Sequence, residues 1–286
     1  TGRTFRIKYI LDIRDFPQSP YADLFIKDFS LIENDPSVSV VVETIGGQGA
    51  AYEFTKRSLA AGKTVVTSNK ELVSAKGVEL FAIAKENNCE YLYEASVGGG
   101  IPIIRPLQTC LAANDLNEIS GILNGTTNYI LTQMELSDTS FTDALMQAQA
   151  LGYAEQNPEA DISGKDTCRK TSILASLAMG SRVAPEEIPT EGIEHVTTAD
   201  MALAKKLGCR IKLLGRIVKG KNGVYHLGVS PMLVPEESPL FSVNDVFNAV
   251  IVKGSASGEL MFRGRGAGKL PTASAVVADV IDAARQ

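Results

Sequence analysis

The sequence predicts an α/β protein with a doubly wound parallel sheet in its first third, followed by a second domain of the α+β class. Two patterns carry this prediction. Continuous β-branched runs alternate with helical patterns up to about residue 95, and later segments alternate in the manner of antiparallel strands. The composition agrees, because 286 residues with 44% hydrophobic and 21% charged residues are ordinary for a globular protein.

The first part of the chain alternates strands with helices. We predict helices over residues 50–61 and 77–87, and strands over residues 5–13, 38–44, 64–67 and 90–95. The β-branched run Val38–Thr44 is typical of a strand buried on both faces. Ligands of doubly wound sheets bind at the carboxyl ends of strands, so Gly46–Gly47 and Ser68–Lys70 are candidate contacts. The alternative is a tight turn at the glycines and a solvated loop lysine.

After Gly98–Gly100 the pattern changes. We predict helices over residues 101–113, 140–151, 166–179 and 272–285, and strands over residues 116–122, 210–218, 224–229, 249–253 and 259–262. The segment Asn124–Asn128 either lines a cleft or is a turn followed by a helix N-cap. The boundary between the two parts is expected near residues 97–100.

Charge and cysteine content exclude several classes of function. A net charge of −5 argues against a nucleic acid or an anionic membrane as partner. No apolar run approaches the roughly 20 residues of a membrane span. The four cysteines lack CxxC or zinc spacing, which predicts thiols in a cytoplasmic protein. The two isolated histidines argue against a histidine triad or a histidine-rich metal site.

The segment 161–170 is the densest polar cluster. Asp166 and Lys170 are one helical turn apart at the start of an apolar helix, so they share a face. They are candidates for a proton donor and its orienting carboxylate. An ordinary surface ion pair is the alternative, and the apolar continuation of the helix argues against it.

Three glycine-containing segments are further candidates, each with a plain structural alternative. Gly152 suits a left-handed helix cap, which leaves Glu155 available to a substrate ammonium group or simply exposed. The carbonyls around Gly98–Gly100, with Glu94, could cage a hard cation or form a hinge, and the hinge is favoured on spacing alone. Residues 264–268 could contact an anion or cofactor at a helix start, or be a loop.

These segments occur in an order that resembles the homoserine dehydrogenase family from about residue 5 to the C-terminus. The matching blocks are VVVETIGG (40–47), SNKEL (68–72), EASVGGGIPII (94–104), GILNGTTNYILTQM (121–134), AQALGYAEQNPEADISGKD (148–166), RK (169–170), and GELMF with GAGKLPTASAVVADV (258–280). The resemblance rests on all of them together, so it is more specific than any single motif.

The resemblance implies two domains and an activity. A Rossmann-type nucleotide-binding domain would comprise residues 1–97 and the C-terminal helix 267–286, and a catalytic and dimerisation domain residues 98–266. The enzyme would interconvert L-aspartate 4-semialdehyde and L-homoserine with NADP or NAD, on the route to threonine, methionine and isoleucine. It would act on a small molecule and form a homodimer or larger homo-oligomer.

The resemblance also implies roles for individual residues. Lys170 would be the catalytic acid and base, with Asp166 beside it in the substrate site. For residues 94–101 the resemblance implies a bound cation, so we expect a cation site there instead of a hinge. The resemblance implies that the substrate is bound by Glu155, Asp166 and Lys70. It implies cofactor contacts at Lys70, Gly152, Gly266, Ser68 and Arg14. It also implies a monovalent cation, assigned in the family as sodium, held by Glu94, Val97, Gly99 and Ile101.

The sequence departs from the family pattern in two places. The strand and GxGxxG loop that normally open the family do not appear, so we expect this chain to lack one strand–helix unit and to bind cofactor weakly. Relatives often carry a C-terminal regulatory domain, and control by threonine is not inferred. Asp12, Arg14 and Asp15 offer both an acid for a ribose hydroxyl and an arginine for a 2′-phosphate, so NAD and NADP stay open.

Three other functions compete with the dehydrogenase. A catalytically silent dinucleotide-fold protein would not need Lys170, Asp166 and Glu155 together. A semialdehyde dehydrogenase with a cysteine thioester would need an activated cysteine, and none has a histidine nearby in sequence. The dehydrogenase half of an aspartate kinase fusion stays open.

Overall fold

The computed structural model describes residues 4–285, which form two compact units. The first unit contains the chain up to Tyr93 and from Val276 onward, and the second contains Glu94–Ala275. The domain boundaries expected at residues 97 and 267 stay a prediction. Glu94 belongs with the second unit because its carboxylate accepts hydrogen bonds from backbone amides of that unit.

The first unit is built around a parallel sheet. Its elements are β1 (Ile10–Leu11), β2 (Phe25–Ile26), α1 (Ser30–Glu33), β3 (Val40–Glu43), α2 (Gly49–Ala60), β4 (Thr64–Thr67), α3 (Lys70–Glu86) and β5 (Tyr91–Leu92). Strands β3, β4 and β5 pair in that order and in parallel, while β1 and β2 form a separate parallel pair. The predicted strand–helix alternation is thus confirmed for this unit.

Two strand predictions were too long. Residues 5–9 do not pair, and their apolar side chains are exposed, with Phe5 at 45% and Ile7 at 56%. Without a buried face, the apolar alternation there does not specify a strand. The strand predicted over residues 90–95 ends at Leu92, and a 3₁₀ turn follows at Glu94–Ser96.

Helix α3 begins earlier than predicted, at Lys70 instead of residue 77. Asn69 caps it, since its side chain accepts a hydrogen bond from the Leu72 amide at 3.1 Å. Asparagine is a strong N-cap residue. The segment predicted only as a loop end is therefore a helix start.

The second unit contains an antiparallel sheet and most of the helices. Its elements are β6 (Leu116–Ile122), α4 (Gly125–Ser137), α5 (Phe141–Ala150), α6 (Glu159–Ile162), α7 (Lys165–Met179), α8 (Thr198–Lys206), β7 (Cys209–Lys219), β8 (Tyr225–Pro235), β9 (Phe247–Gly254), β10 (Gly258–Arg265) and the start of α9 (Lys269–Ala283). The five strands pair antiparallel, which confirms the antiparallel pattern predicted for the later segments. Their order in the sheet is β10-β9-β6-β7-β8. Ile122, Leu214, Val243 and Ile251 belong to its apolar core.

Two helices of this unit differ from the prediction. The helix predicted over residues 101–113 is a short π-helical turn at Pro106–Cys110. No bounds were predicted for helix α4 beyond its possible N-cap, because residues 127–132 are all buried and show no amphipathic period. Among residues 4–285, no helix is both long and apolar enough to cross a bilayer.

The sheet of the second unit buries a lysine. Lys212 on β7 is 1% exposed, and its ammonium donates to the carbonyl of Val243 at 2.7 Å. It also donates to the side-chain oxygens of Asn128 and Asn244, each at 3.1 Å. Burial lowers the pKa of Lys212 to about 8, against the attraction of Glu135.

We expect this lysine to make stability rise with pH between about pH 8 and 10. In that range the unfolded chain keeps the proton that the folded chain releases, so the free energy of unfolding increases. Each pKa unit corresponds to about 1.4 kcal/mol, which gives roughly 3 kcal/mol in all. Denaturant unfolding of the parent and of Lys212→Met at pH 7.5 and 10 measures the difference. Parallel pH dependence in the two proteins would contradict the prediction.

Candidate active site

The connection from β6 to α4 forms one wall of a buried polar cluster. Asn124 follows the strand and caps α4, because its side-chain oxygen accepts a hydrogen bond from the Thr127 amide at 2.8 Å. Asn124 is 5% exposed. Of the two sequence interpretations of this segment, the N-cap is confirmed.

Lys170 and Asp166 form a buried ion pair on α7. The Lys170 ammonium lies 2.7 Å from Oδ2 of Asp166 and donates to the Leu123 carbonyl at 2.8 Å. Their side chains are 11% and 7% exposed, so the pair is not a solvated surface pair. Two of the three ammonium N–H groups are committed, which leaves one for a ligand.

Asn124 joins this pair to a second carboxylate. Its amide nitrogen donates to Oδ2 of Asp166 at 2.9 Å and to Oδ1 of Asp161 at 2.7 Å. Asp161 lies in the polar segment singled out in the sequence, but no role was predicted for it. Its role could not be predicted because Asp161 lies on the separate short helix α6. Helical spacing relates residues of one helix only, so it gives no information about the distance from Asp161 to Lys170.

The segment carrying Gly152 and Glu155 contacts the same end of α4. The Thr126 hydroxyl donates to the Tyr153 carbonyl at 2.6 Å, and the rings of Tyr129 and Tyr153 meet edge to face at 5.1 Å. Gly152 has φ +74°, which confirms the predicted left-handed cap of α5. Glu155 is exposed, two residues beyond this contact.

The Glu94 carboxylate has a structural function. It accepts from the amides of Ile103 at 2.6 Å, Ile104 at 2.8 Å and Arg105 at 2.7 Å, and Glu94 is 5% exposed. This carboxylate therefore already has three hydrogen-bond donors, and the cation expected at this turn stays a prediction. Val97 is also buried, at 0% exposed, so the turn can offer a cation backbone carbonyls in a dry environment.

Gly99 and Gly266 are glycines because their backbones pack closely. A Cβ on Gly99 would lie 2.5 Å from the Gly266 carbonyl oxygen, and a Cβ on Gly266 would overlap the Asn248 side chain. This packing explains the residue type at both positions without any ligand. The predicted cofactor contact of Gly266 stays a prediction.

In the first unit, the carboxyl ends of β3 and β4 are joined by hydrogen bonds. Glu43 is 4% exposed and accepts from the amides of Ile45 at 2.7 Å and Gly46 at 3.1 Å, and from the Thr67 hydroxyl at 2.6 Å. The Asn69 side chain donates to the Gly47 carbonyl at 2.7 Å. Sequence reasoning assigned no role to Glu43, although it ends a β-branched run.

The loop after β3 is open on the side where a ligand could approach. Gly46 and Gly47 have φ of +82° and +65°, and a Cβ on either would meet no atom within 4 Å. Lys70 is the first residue of α3, where the helix dipole disfavours a cation. Ser68 lies in the turn just before, with its carbonyl accepting from the Lys70 amide at 3.1 Å.

Arg14 is paired within its own segment. Its guanidinium donates to both carboxylate oxygens of Asp12, at 3.1 and 3.0 Å, and holds the pKa of Asp12 at about 2. Asp15 lies 2.8 Å from the Lys27 ammonium. The acidic and basic side chains of this segment are thus paired with each other. Neither type stands out as a contact for the ribose, so the choice between NAD and NADP stays open.

The cysteines do not favour a thioester mechanism. Burial raises the pKa of the Cys89 and Cys168 thiols, which lowers their thiolate fraction. All four cysteines are free thiols. In the described part of the chain, no group of three or more histidine, cysteine or acidic side chains could hold a metal ion.

A family profile described as "Homoserine dehydrogenase" matches residues 102–281, which include the whole polar cluster around Lys170. The chain belongs to the homoserine dehydrogenase family. A second profile, described as "Homoserine dehydrogenase, NAD binding domain", matches residues 20–94 in the first unit. The two profiles together confirm the homoserine dehydrogenase resemblance and its nucleotide-binding and catalytic parts.

Individual relatives agree with the profiles. The homoserine dehydrogenase of Synechocystis sp. is 45% identical over 264 residues, which are 91% of this chain and 61% of that protein. The crystal structure of the Thiobacillus denitrificans homoserine dehydrogenase has a TM-score of 0.88 at 44% identity, covering 91% of this chain and 60% of that one. A hyperthermophilic archaeal homoserine dehydrogenase in complex with NADPH has a TM-score of 0.77 at 32% identity, covering 90% and 74%. This chain therefore spans about three fifths of the first two relatives.

Proposed function

We propose that the protein interconverts L-aspartate 4-semialdehyde and L-homoserine with NADP or NAD, in the biosynthesis of threonine, methionine and isoleucine. The observation that carries the proposal is the buried Lys170–Asp166 pair, joined by Asn124 to Asp161, in a member of this family. A buried ammonium with one uncommitted N–H suits a carbonyl oxygen that gains negative charge during reduction.

The first unit supplies candidate cofactor residues. The open backbone at Gly46 and Gly47, with Ser68 and Lys70 at the next strand end, fits a dinucleotide at the carboxyl edge of a parallel sheet. Arg14 is a further candidate, and Gly152 and Gly266 are candidates in the second unit. The cofactor supplies the chemistry of hydride transfer when bound. The NADPH complex of the archaeal relative supports NADP.

The protein's own residues bind the substrate and move the proton. Lys170 stabilises the developing alkoxide and donates a proton to its oxygen, and in the reverse direction the neutral amine takes that proton back. Asp166 orients the ammonium. Glu155 and Asp166 are suited to the substrate ammonium group, and Lys70 to a negatively charged group of substrate or cofactor.

The proposal is tested by following absorbance at the reduced-nicotinamide band. We expect the protein to reduce NADP or NAD when homoserine is added, and to give no signal when homoserine is omitted. A folded sample that fails to oxidise homoserine with NADP and also with NAD would overturn the proposal and favour a catalytically silent protein.

We also infer a monovalent cation, with sodium as the candidate, at the turn of residues 94–101. The backbone carbonyls of Val97, Gly99 and Ile101 would hold it, while the Glu94 carboxylate keeps the turn in shape through its three amide contacts. Oxygen donors of this kind suit a hard cation. The role would be structural.

We expect the parent to have a higher melting temperature in sodium chloride than in the chloride of a bulky organic cation at equal ionic strength. Glu94→Gln should lower stability in both salts, because an amide cannot accept all three hydrogen bonds, and it should lose more in sodium. Thermal unfolding of both proteins in both salts gives the comparison. Equal losses in the two salts would count against the cation.

We further infer a homo-oligomer, at least a dimer, in the cytoplasm. The five-stranded sheet ends at β10 on one side, and edge strands are ordinarily covered to prevent unwanted pairing. On the other side, Thr190 bridges to Val229 of β8. The four free thiols suit a reducing compartment. The net charge of −5 favours a small-molecule substrate over nucleic acid or an anionic membrane.

A further inference from the structure

We propose that Asn124 is the positioning residue of the candidate active site, holding two carboxylates and the Lys170 ammonium in one arrangement. The inference deepens the proposed function and rests on it for its catalytic consequence. Asn124 contacts the groups that act, and its own part is to fix their positions.

The hydrogen-bonding capacity of the Asn124 amide is fully used. One nitrogen donates to Asp161 at 2.7 Å and to Asp166 at 2.9 Å, and the oxygen accepts from the Thr127 amide at 2.8 Å. A primary amide has two N–H donors, so each carboxylate takes one. Neither a serine nor an aspartate could make all three contacts.

The same residue also determines the direction of the ammonium. Lys170 and Asn124 both donate to Oδ2 of Asp166, at 2.7 and 2.9 Å. The other acceptor of the ammonium is the carbonyl of Leu123, which is the residue directly before Asn124. Both partners of Lys170 are thus tied to the start of α4, so a shift of Asn124 would move both.

Asn124 also donates to two carboxylates at this site. Asp161 and Asp166 bring two carboxylates to the Asn124 amide, and the Lys170 ammonium contacts one of them. Like carboxylates at short range favour protonation of one of them, and N–H donors to the charged forms oppose it. The two N–H donors of Asn124 therefore favour the charged form of both carboxylates.

The other charged groups on the packed elements are mostly paired elsewhere. Glu159 on α6 and Lys165 on α7 contact each other at 2.5 Å. Arg169 lies on α7 beside Lys170. Lys212 on β7 donates to the side-chain oxygen of Asn128, which lies in the first turn of α4. Glu135 pairs with Arg210 at 2.9 Å near the last turn of α4. None of the substitutions below removes one of these groups.

The substitution Asn124→Ser separates the two functions of the residue. Serine is as good an N-cap as asparagine, so α4 keeps its cap, but the donors to Asp161 and Asp166 are lost. Asn69→Ser is the matched control for stability. Asn69 is also a buried N-cap, and its nitrogen donates to the neutral carbonyl of Gly47 instead of a carboxylate.

The first readout is unfolding by denaturant at pH 4 and pH 7.5, which needs no activity. We expect Asn124→Ser to reduce the folding equilibrium constant at least about tenfold more at pH 7.5 than at pH 4, since bonds to ionised groups are the stronger ones. The loss in Asn69→Ser should be the same at both pH values. Equal pH dependence of the two variants overturns the proposal.

The second readout is the pH profile of homoserine oxidation. We expect Asn124→Ser to lower kcat at least tenfold with a smaller change in KM, and to move the acid limb of the profile to higher pH. Asn124→Asp keeps the shape and the cap but adds a third carboxylate, so its acid limb should move further. Parental kcat and profile in Asn124→Ser overturn the proposal. A parent that does not oxidise homoserine overturns the proposed function instead, and the unfolding comparison still decides whether Asn124 holds the carboxylates.

Discussion

Lys170→Ala is expected to lower kcat about 10²–10⁴-fold, which is the usual contribution of a general acid or base. Its ammonium is 2.7 Å from Asp166 and 2.8 Å from the Leu123 carbonyl, so it is held in place with one N–H uncommitted. Alanine removes both the proton and the positive charge that would face the substrate oxygen. We expect the affinity for NADP or NAD to stay near the parental value, which calorimetry would measure beside the kinetics.

Two other lysine substitutions test this assignment. Lys165→Ala removes a lysine of the same helix whose side chain is 57% exposed, and we expect activity within a few-fold of the parent. Lys70→Ala should disturb binding of cofactor or substrate at least as much as turnover. If Lys170→Ala kept near-parental kcat in both directions, the proton transfer would have to be assigned to Lys70 or to water.

Asp166→Asn is expected to cost both stability and activity. The change keeps the shape of the side chain but leaves the buried Lys170 ammonium without its counter-charge. Removing one partner of a buried ion pair costs about 3–5 kcal/mol, and the free energy of unfolding at pH 7 should fall by about that amount. Turnover should fall at the same time because the ammonium is no longer oriented.

Glu159→Gln is the matched control for this substitution. It breaks the ion pair with Lys165, in which the side chains are 62% and 57% exposed, and exposed pairs contribute about 0–1 kcal/mol. We expect unfolding of Glu159→Gln to differ little from the parent. Similar small losses in both variants would mean that burial of the Lys170–Asp166 pair has no energetic consequence.

Local patterns were sufficient wherever one face of an element is buried or a cap is explicit. Strand β4 follows its β-branched residues, as predicted. The predicted helix over residues 140–151 is also present as α5, and the Ser140 hydroxyl caps it by accepting from the Asp143 amide at 3.1 Å. Helix α4 escaped prediction because its residues 127–132 are buried on all sides. The predicted strand over residues 5–13 is present only as β1 (Ile10–Leu11), since Phe5 and Ile7 lack a buried face.

The sequence by itself determined the family resemblance and the one-turn spacing of Asp166 and Lys170, because helical periodicity acts over four residues. It did not determine that Asn124 bonds to Asp161 and Asp166, which lie 37 and 42 residues further along the chain. It also did not show that the Glu94 carboxylate binds amides nine to eleven residues away. Only the packing of β6, α4, α6 and α7 brings these groups within hydrogen-bond distance. Hydrogen-bond distances of this kind depend on the tertiary fold, and residue spacing carries no information about them.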